Sequence, residues 1–223
     1  MARVIAKGDL HGRADWKLPF YNEEWDEFVF VGDYFDSYEL SAAEQLYNFN
    51  EIIRAKIAAE QQGKRVTLLM GNHDHHYIPG CTGHTTGYQA VFATDIREAL
   101  TKNIDHIQCA RLIGDHLFTH AGVTHTFLKL PYIDINHRKP DFAYRLNELL
   151  KVRPMSFMFN GTDPYGDDMC QGPLWVRPRA LGSNMIPYHQ VVGHTSRNTI
   201  EIREHYGYKL YLIDAPDYLV LNL

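Results

Sequence analysis

The sequence predicts a layered α/β fold, and three observations carry that prediction. The N-terminal half alternates short apolar runs with strongly helical segments. The C-terminal part changes to short β-rich segments separated by turn residues, which reads as a second sheet. Finally, five apolar runs each end in a small Gly- or Ala-containing turn that carries Asp, Asn or His. Layered α/β folds gather their ligands at the carboxyl ends of strands, where such turns lie.

Taken in order, Val4-Ile5-Ala6 leads into Gly8-Asp9-Leu10-His11-Gly12, and Phe28-Val29-Phe30-Val31 into Gly32-Asp33-Tyr34-Phe35-Asp36. Ser41-Ala42-Ala43-Glu44 has capping-box spacing. After it Leu46, Phe49, Ile53 and Ile57 recur at helical spacing, and Gly63 can take the left-handed terminating conformation. The run at 66–70 follows at once and ends in Gly71-Asn72-His73-Asp74, giving a β-helix-β order. A second helix is predicted over residues 89–101, with Phe92, Ile96 and Leu100 on one face. Another is predicted over 141–151, capped by Asp141 and burying Phe142, Leu146, Leu149 and Leu150.

The remaining two turns are His120-Ala121-Gly122, after Leu117-Phe118-Thr119, and Gly193-His194-Thr195, after Val191-Val192. Residues 199–203, 208–213 and 218–223 read as an antiparallel meander belonging to the second sheet. Between 154 and 187 recurrent Gly and Pro exclude a long helix or central strand. That segment is expected to be an irregular, substrate-covering loop within one domain spanning 1–223.

Composition narrows the functional classes. Hydrophobic residues make up 45% and charged residues 22% of the 223, which suits a globular chain with a real core. No apolar stretch approaches the roughly 20 residues that span a bilayer, and the N-terminus shows no signal-peptide pattern, so a cytoplasmic protein is expected. The net charge of −5 disfavours nucleic-acid binding. Three cysteines without CxxC spacing disfavour a disulfide framework. The Cys-to-Arg spacing of a cysteine phosphatase, the Gly-rich nucleotide loops and a G-x-S-x-G elbow are all missing from the sequence.

The turns point to metal chemistry. Hydrolysis of a phosphate ester at neutral pH needs a strong nucleophile and neutralisation of the phosphoryl charge. Two divalent ions about 3.5–4 Å apart supply both. Such a pair needs carboxylate and imidazole donors from several segments, and strand-end turns fix those donors while Gly leaves room for the ions.

The five blocks, Asp-x-His, Gly-Asp-x-x-Asp, Gly-Asn-His-Asp, His-Ala-Gly and Gly-His, stand in that order from Asp9 to His194. In this the chain resembles the calcineurin-like metallophosphoesterase superfamily, most of all its phosphoprotein-phosphatase branch and the bacterial and phage relatives of that branch. The resemblance implies a four-layer α/β/β/α sandwich of two mixed β-sheets flanked by helices, with the metal site at the strand C-terminal ends. It implies a phosphatase in which Asp9 and His11 bind one metal, Asp33 bridges, and Asn72, His120 and His194 complete the other. Three oxygen donors and three imidazoles suit manganese, with iron or zinc as alternatives. By the same resemblance metal-bound hydroxide attacks phosphorus and His73 is the general acid, supported by Asp36.

One departure concerns the substrate. The branch continues its second block with Asp-Arg-Gly, whose Arg holds phosphate, whereas here Asp36 is followed by Ser37-Tyr38. Leu174-Trp175-Val176-Arg177 looks like a stretch of the bacterial relatives whose Arg reaches phosphate, making Arg177 the first candidate and Arg179 the second. A phosphomonoester is the first expected substrate, and a diester or dinucleoside polyphosphate the alternative. A non-catalytic binding module is the remaining reading. Tyr34, Phe35, Tyr38, Tyr77, Tyr88, Tyr165 and Trp175 are candidates to stack on a base. Asp74 is expected to support its loop, and His75, His76, His84, His116, His125, His137, His189 and His205 are expected to be structural or surface residues.

Overall fold

The computed structural model describes residues 1–81 and 86–223, so His84 lies outside the described residues. Ten strands form two sheets. They are β1 (Arg3–Lys7), β2 (Glu27–Phe30), β3 (Arg65–Leu69), β4 (Ile107–Gln108), β5 (Ala110–Ile113), β6 (His116–Thr119), β7 (His189–Val192), β8 (Glu201–His205), β9 (Tyr208–Leu212) and β10 (Tyr218–Asn222). The first sheet has the order β10-β1-β2-β3-β4 and the second β5-β6-β7-β9-β8. Both are mixed. In the first, β1 to β4 run parallel and β10 is antiparallel to β1. In the second, β6, β7 and β9 are parallel, and β5 and β8 are antiparallel edges.

Alternation along the strands builds the layers. Val4, Ala6, Val29, Val31 and Leu69 point to one face of the first sheet and pack against Phe118, Val191, Tyr211 and Ile213 of the second. Their neighbours Ile5, Phe28, Phe30, Val66 and Leu68 point the other way, into a core shared with Phe20, Phe49 and Ile52. These come from α1 (Lys17–Asn22) and α2 (Ala42–Gln61). On the far side of the second sheet Val192, Leu210 and Leu212 pack on Ala180 and Leu181, which lie in the short helix Pro178–Asn184 that precedes β7. Two mixed sheets flanked by helices result, as the resemblance implies.

Helix α2 begins at the expected capping box: Glu44 N donates to Ser41 Oγ at 3.3 Å and Ser41 N to Glu44 Oε2 at 2.8 Å. Its core face is turned from the one expected. Phe49, Ile52 and Ile53 are buried, while Ile57 is 42% exposed. The helices that follow are α3 (Asn72–His75), α4 (Ala93–Lys102), α5 (His125–Leu128), α6 (Phe142–Val152) and α7 (Pro178–Asn184). Ile96 and Leu100 of α4 are buried, but Phe92 falls in a preceding 3₁₀ turn whose tighter winding carries it to the surface. Asp141 precedes α6 without a side-chain cap, and Phe142, Leu146 and Leu150 are buried, with Leu149 only partly so.

The expected C-terminal meander is corrected. β8 and β9 form a hairpin in the second sheet, but β10 crosses to the first and pairs with β1 from Arg3↔Asn222 to Lys7↔Tyr218. Between 154 and 187 the chain is largely irregular, with a 3₁₀ turn at Pro154–Phe157 and α7. Among the described residues no helix is long and apolar enough to cross a membrane.

Candidate metal centre and active site

The turns after β1, β2, β3, β6 and β7 deliver Asp9, His11, Asp33, Asn72, His120 and His194 to one place between the two sheets. Asp9, Asp33, Asn72, His120 and His194 are buried, and His11 is partly exposed. His120 Nε2 lies 3.4 Å from Asp33 Oδ2 and 2.8 Å from Asn72 Oδ1. His194 Nδ1 lies 3.0 Å from the same Asn72 oxygen, and His11 Nε2 lies 3.8 Å from Asp33 Oδ2. Donor atoms of Asp9, His11 and Asp33 all fall within 4.8 Å of one another.

Each imidazole is oriented by a backbone carbonyl on its far side. His11 Nδ1 bonds Phe35 O at 2.7 Å, His120 Nδ1 bonds Val31 O at 2.8 Å, and His194 Nε2 bonds Trp175 O at 3.0 Å. A carbonyl only accepts, so these nitrogens carry the protons. The opposite nitrogens then turn lone pairs toward Asp9, Asp33 and Asn72. Burial, with His120 and Arg177 next, holds the His194 imidazole well below its usual pKa and therefore neutral. Burial raises Asp9, whereas at Asp33 the surrounding imidazoles outweigh burial and lower it.

The backbone is bent to make this approach. Six non-glycine residues have positive φ among those described, and four are His11 (45°), Asp33 (54°), Asp36 (66°) and His194 (63°). Local strain is therefore concentrated at the donor cluster. Two glycines make room as well. A Cβ on Gly71 would stand 2.0 Å from Asp33 Oδ1, and one on Gly193 would stand 2.1 Å from Asp9 Oδ1. Asp74 accepts from the backbone N–H of Asp33 and Tyr34 at 2.8 Å and of Gly71 at 2.9 Å, tying the second and third turns together. His194 N donates to Asp9 Oδ1 at 3.0 Å and joins the two sheets across the site.

Beside the donors, His73 Nδ1 lies 2.9 Å from Asp36 Oδ2. Burial opposes the charged ring, but Asp33 and the Asp36 hydrogen bond prevail and raise its pKa to about 9. Asp36 is itself held by the Tyr77 hydroxyl and by His76 Nε2 at 2.8 Å. His76 was expected to be structural, yet it shares this carboxylate. The signal for it was the i, i+3 spacing of His73 and His76, which puts both on one face of a helical turn. A second unforeseen group is Asp214, raised to about 8 by burial and by the charges of Asp9 and Asp33.

A cleft of about 510 Å³ opens over His73, lined further by Asn72, Phe159, Tyr165, Trp175 and Arg177. Arg177 is fixed there: Nη1 donates to His194 O at 2.6 Å and Nε to Tyr165 O at 3.1 Å. Arg179 instead faces solvent, paired with Asp167 at 2.6 Å. Of the aromatic candidates, Tyr165 and Trp175 line the cleft. Tyr34, Phe35 and Tyr77 are fully buried and cannot stack on a ligand.

The donor set fits divalent metal. Asp9 and Asp33 are buried carboxylates with no Lys or Arg within 4 Å among the described residues, while the Nε2 lone pairs of His11 and His120 face Asp33. Such a cluster is costly unless a cation occupies it.

A layered α/β fold with this donor set at its strand ends defines a phosphoester hydrolase that works with divalent metal. The chain belongs to the calcineurin-like phosphoesterase family, whose sequence pattern matches residues 2–214. Among curated proteins no sequence matches it. Among solved structures it is similar to a cold-active protein-tyrosine phosphatase of a Shewanella species, with TM-score 0.63 and 20% identity, covering 99% of this chain and 75% of that one. It is similar also to a putative diadenosine tetraphosphatase, with TM-score 0.52 and 16% identity over 98% and 89% of the two chains. A protein serine/threonine phosphatase from Saccharomyces cerevisiae gives TM-score 0.50 and 16% identity over 95% and 67%. At these identities the likeness speaks for the fold.

Proposed function

We propose that the chain is a binuclear-metal phosphomonoesterase in which Asp9, His11, Asp33, Asn72, His120 and His194 hold the ions and Asp33 is shared. The observation that carries this reading is the set of three imidazoles, each tied by one nitrogen to a carbonyl, with the other nitrogen turned toward buried Asp33 for His11 and His120 and toward Asn72 Oδ1 for His120 and His194. Two divalent ions bound there supply an acidified water and neutralise phosphoryl charge, and manganese, iron or zinc suits the donors.

His73 is the proton donor to the departing oxygen. Its Nδ1 proton is held on Asp36, which leaves Nε2 to serve the cleft. Bound cations would offset the charge of Asp33, the first of the groups that raise His73, and would leave the Asp36 hydrogen bond to hold its proton. Tyr77 and His76 fix Asp36 from behind. Arg177, its Nη1 and Nε already engaged by backbone carbonyls, presents Nη2 to a phosphate oxygen. The segment 154–187 covers the leaving group through Phe159, Tyr165 and Trp175.

Those rings favour a flat, apolar leaving group. An aryl phosphomonoester fits first, in keeping with the tyrosine phosphatase named among the similar structures. A dinucleoside polyphosphate, whose base would meet the same rings, is the second reading. A metal titration with aryl phosphate, alkyl phosphate and dinucleoside polyphosphate tests both. Turnover is expected to require divalent metal and to favour the aryl ester. Metal-loaded protein inactive on all three overturns the enzyme reading and leaves a binding module.

A further inference from the structure

Away from the cleft, a second concavity of about 330 Å³ is lined by His125, Lys129, Asp134, His137 and Arg138 over a floor of Leu128 and Ile135. It shares no lining residue with the cleft at the donor cluster.

The backbone builds it firmly. Thr124 caps α5 by accepting from Phe127 N at 3.0 Å, and the buried Phe127 and Leu128 anchor that turn. The chain then reverses through Asp134, at φ 44°, with Asp134 N bonded to Leu130 O and Ile135 N to Leu128 O. This reversal carries His137 back over His125, so that their rings stand 4.8 Å apart, edge to face. The Tyr188 hydroxyl donates to His137 O at 3.1 Å and fixes the far end.

The pocket sets two cations, Lys129 and Arg138, against one carboxylate, Asp134. Among the described residues Lys129 and Arg138 have no acidic partner within 4 Å, and neither does either imidazole. Asp134 is the one carboxylate among those lining residues and lies within 4 Å of none of these four groups. Burial, Lys129 and Arg138 hold both imidazoles below their usual pKa, and for His137 the His125 ring adds to this. Two cations and two imidazoles thus line one concavity of a chain whose net charge is −5. Solvated surface cations normally spread apart, and an anion relieves this crowding.

We propose that this pocket binds a small phosphate-bearing anion. Arg138 offers a planar pair of donors to two phosphate oxygens, Lys129 adds a point charge, and the imidazoles donate once protonated. The volume holds a phosphate with a small organic body.

The test is an NMR pH titration of the His125 and His137 rings in protein loaded with a diamagnetic divalent ion. Inorganic phosphate and phenylphosphonate are the two probes, with chloride at matched ionic strength as control. Both ring pKa values are expected to rise by about half a unit or more on adding a probe. Arg138→Ala and Lys129→Ala are each expected to weaken that response at least about fivefold, with metal content and turnover unchanged. Tighter binding of phenylphosphonate identifies an organic phosphate as the ligand, and tighter binding of phosphate the free ion. Ring shifts no larger than those with chloride, or shifts unaltered in both variants, overturn the proposal.

Discussion

Acidification from pH 7 to pH 5 should destabilise this protein through His75, by an amount that the structure allows to be worked out. The ring lies on α3, whose first residue is Asn72, and its Nε2 bonds Pro154 O at 2.8 Å. It therefore ties the turn after β3 to the segment that lines the cleft. Burial holds its pKa down to about 4, against an ordinary value of 6.5. Between those values the unfolded chain binds the proton that the folded chain refuses. Stability is therefore complete above the unfolded value, falls as pH drops through that window, and falls no further below the folded value. A full 2.5-unit difference corresponds to about 3.4 kcal/mol, and the part lost between pH 7 and pH 5 to about 1.8 kcal/mol. Urea denaturation of the wild type and of His75→Gln at both pH values isolates this share, because other titrating groups cancel. Gln can still donate to Pro154 O but has no proton to gain. The wild type should lose about 1.8 kcal/mol more than the variant. Equal losses would refute the assignment of His75 as a buried, neutral donor.

Three further outcomes follow from the site. His73→Asn should leave metal content intact and cut turnover of an alkyl phosphate by about 10²–10⁴, with a smaller effect on an ester with a good leaving group. Full activity on the poor leaving group would remove His73 as the acid. Gly71→Ala should lower metal affinity about tenfold or more, since its Cβ would stand 2.0 Å from Asp33 Oδ1. Calorimetric metal titration reads that loss, and unchanged affinity would show that the close approach is not needed. Arg177→Ala should reduce kcat/KM by about ten- to a hundredfold. Steady-state kinetics with an aryl phosphate checks this, and an undiminished value would place phosphate binding elsewhere.

The two-sheet architecture was legible because alternation separates Val4 and Ala6 from Ile5, and Val29 and Val31 from Phe28 and Phe30. The same alternation does not say which sheet edge a strand joins. The β-rich pattern at 218–223 therefore suits either sheet, and the pairing of β10 with β1 puts it in the first. Helix α2 was legible at its cap, where local chemistry decides, and less so on its face, where Ile57 kept the period but met solvent. Helix α1 was not anticipated from the sequence; it places Pro19 in its first turn, where Pro is tolerated. The donor residues stood out because Gly, Asp, Asn and His recur at five strand ends. Asp214 did not, since it reaches the cluster through a fold that no short motif spells out, and His76 was marked only by its i, i+3 spacing from His73.

The central claim is that these side chains hold two metals through one shared carboxylate. Elemental analysis of protein purified without chelator and reconstituted with manganese tests it most directly, beside Asp33→Asn treated alike. The wild type should retain two ions per chain, and the variant should lose affinity for both because the shared donor is gone. Fewer than one ion per wild-type chain, or an Asp33→Asn protein that keeps both, would contradict the account.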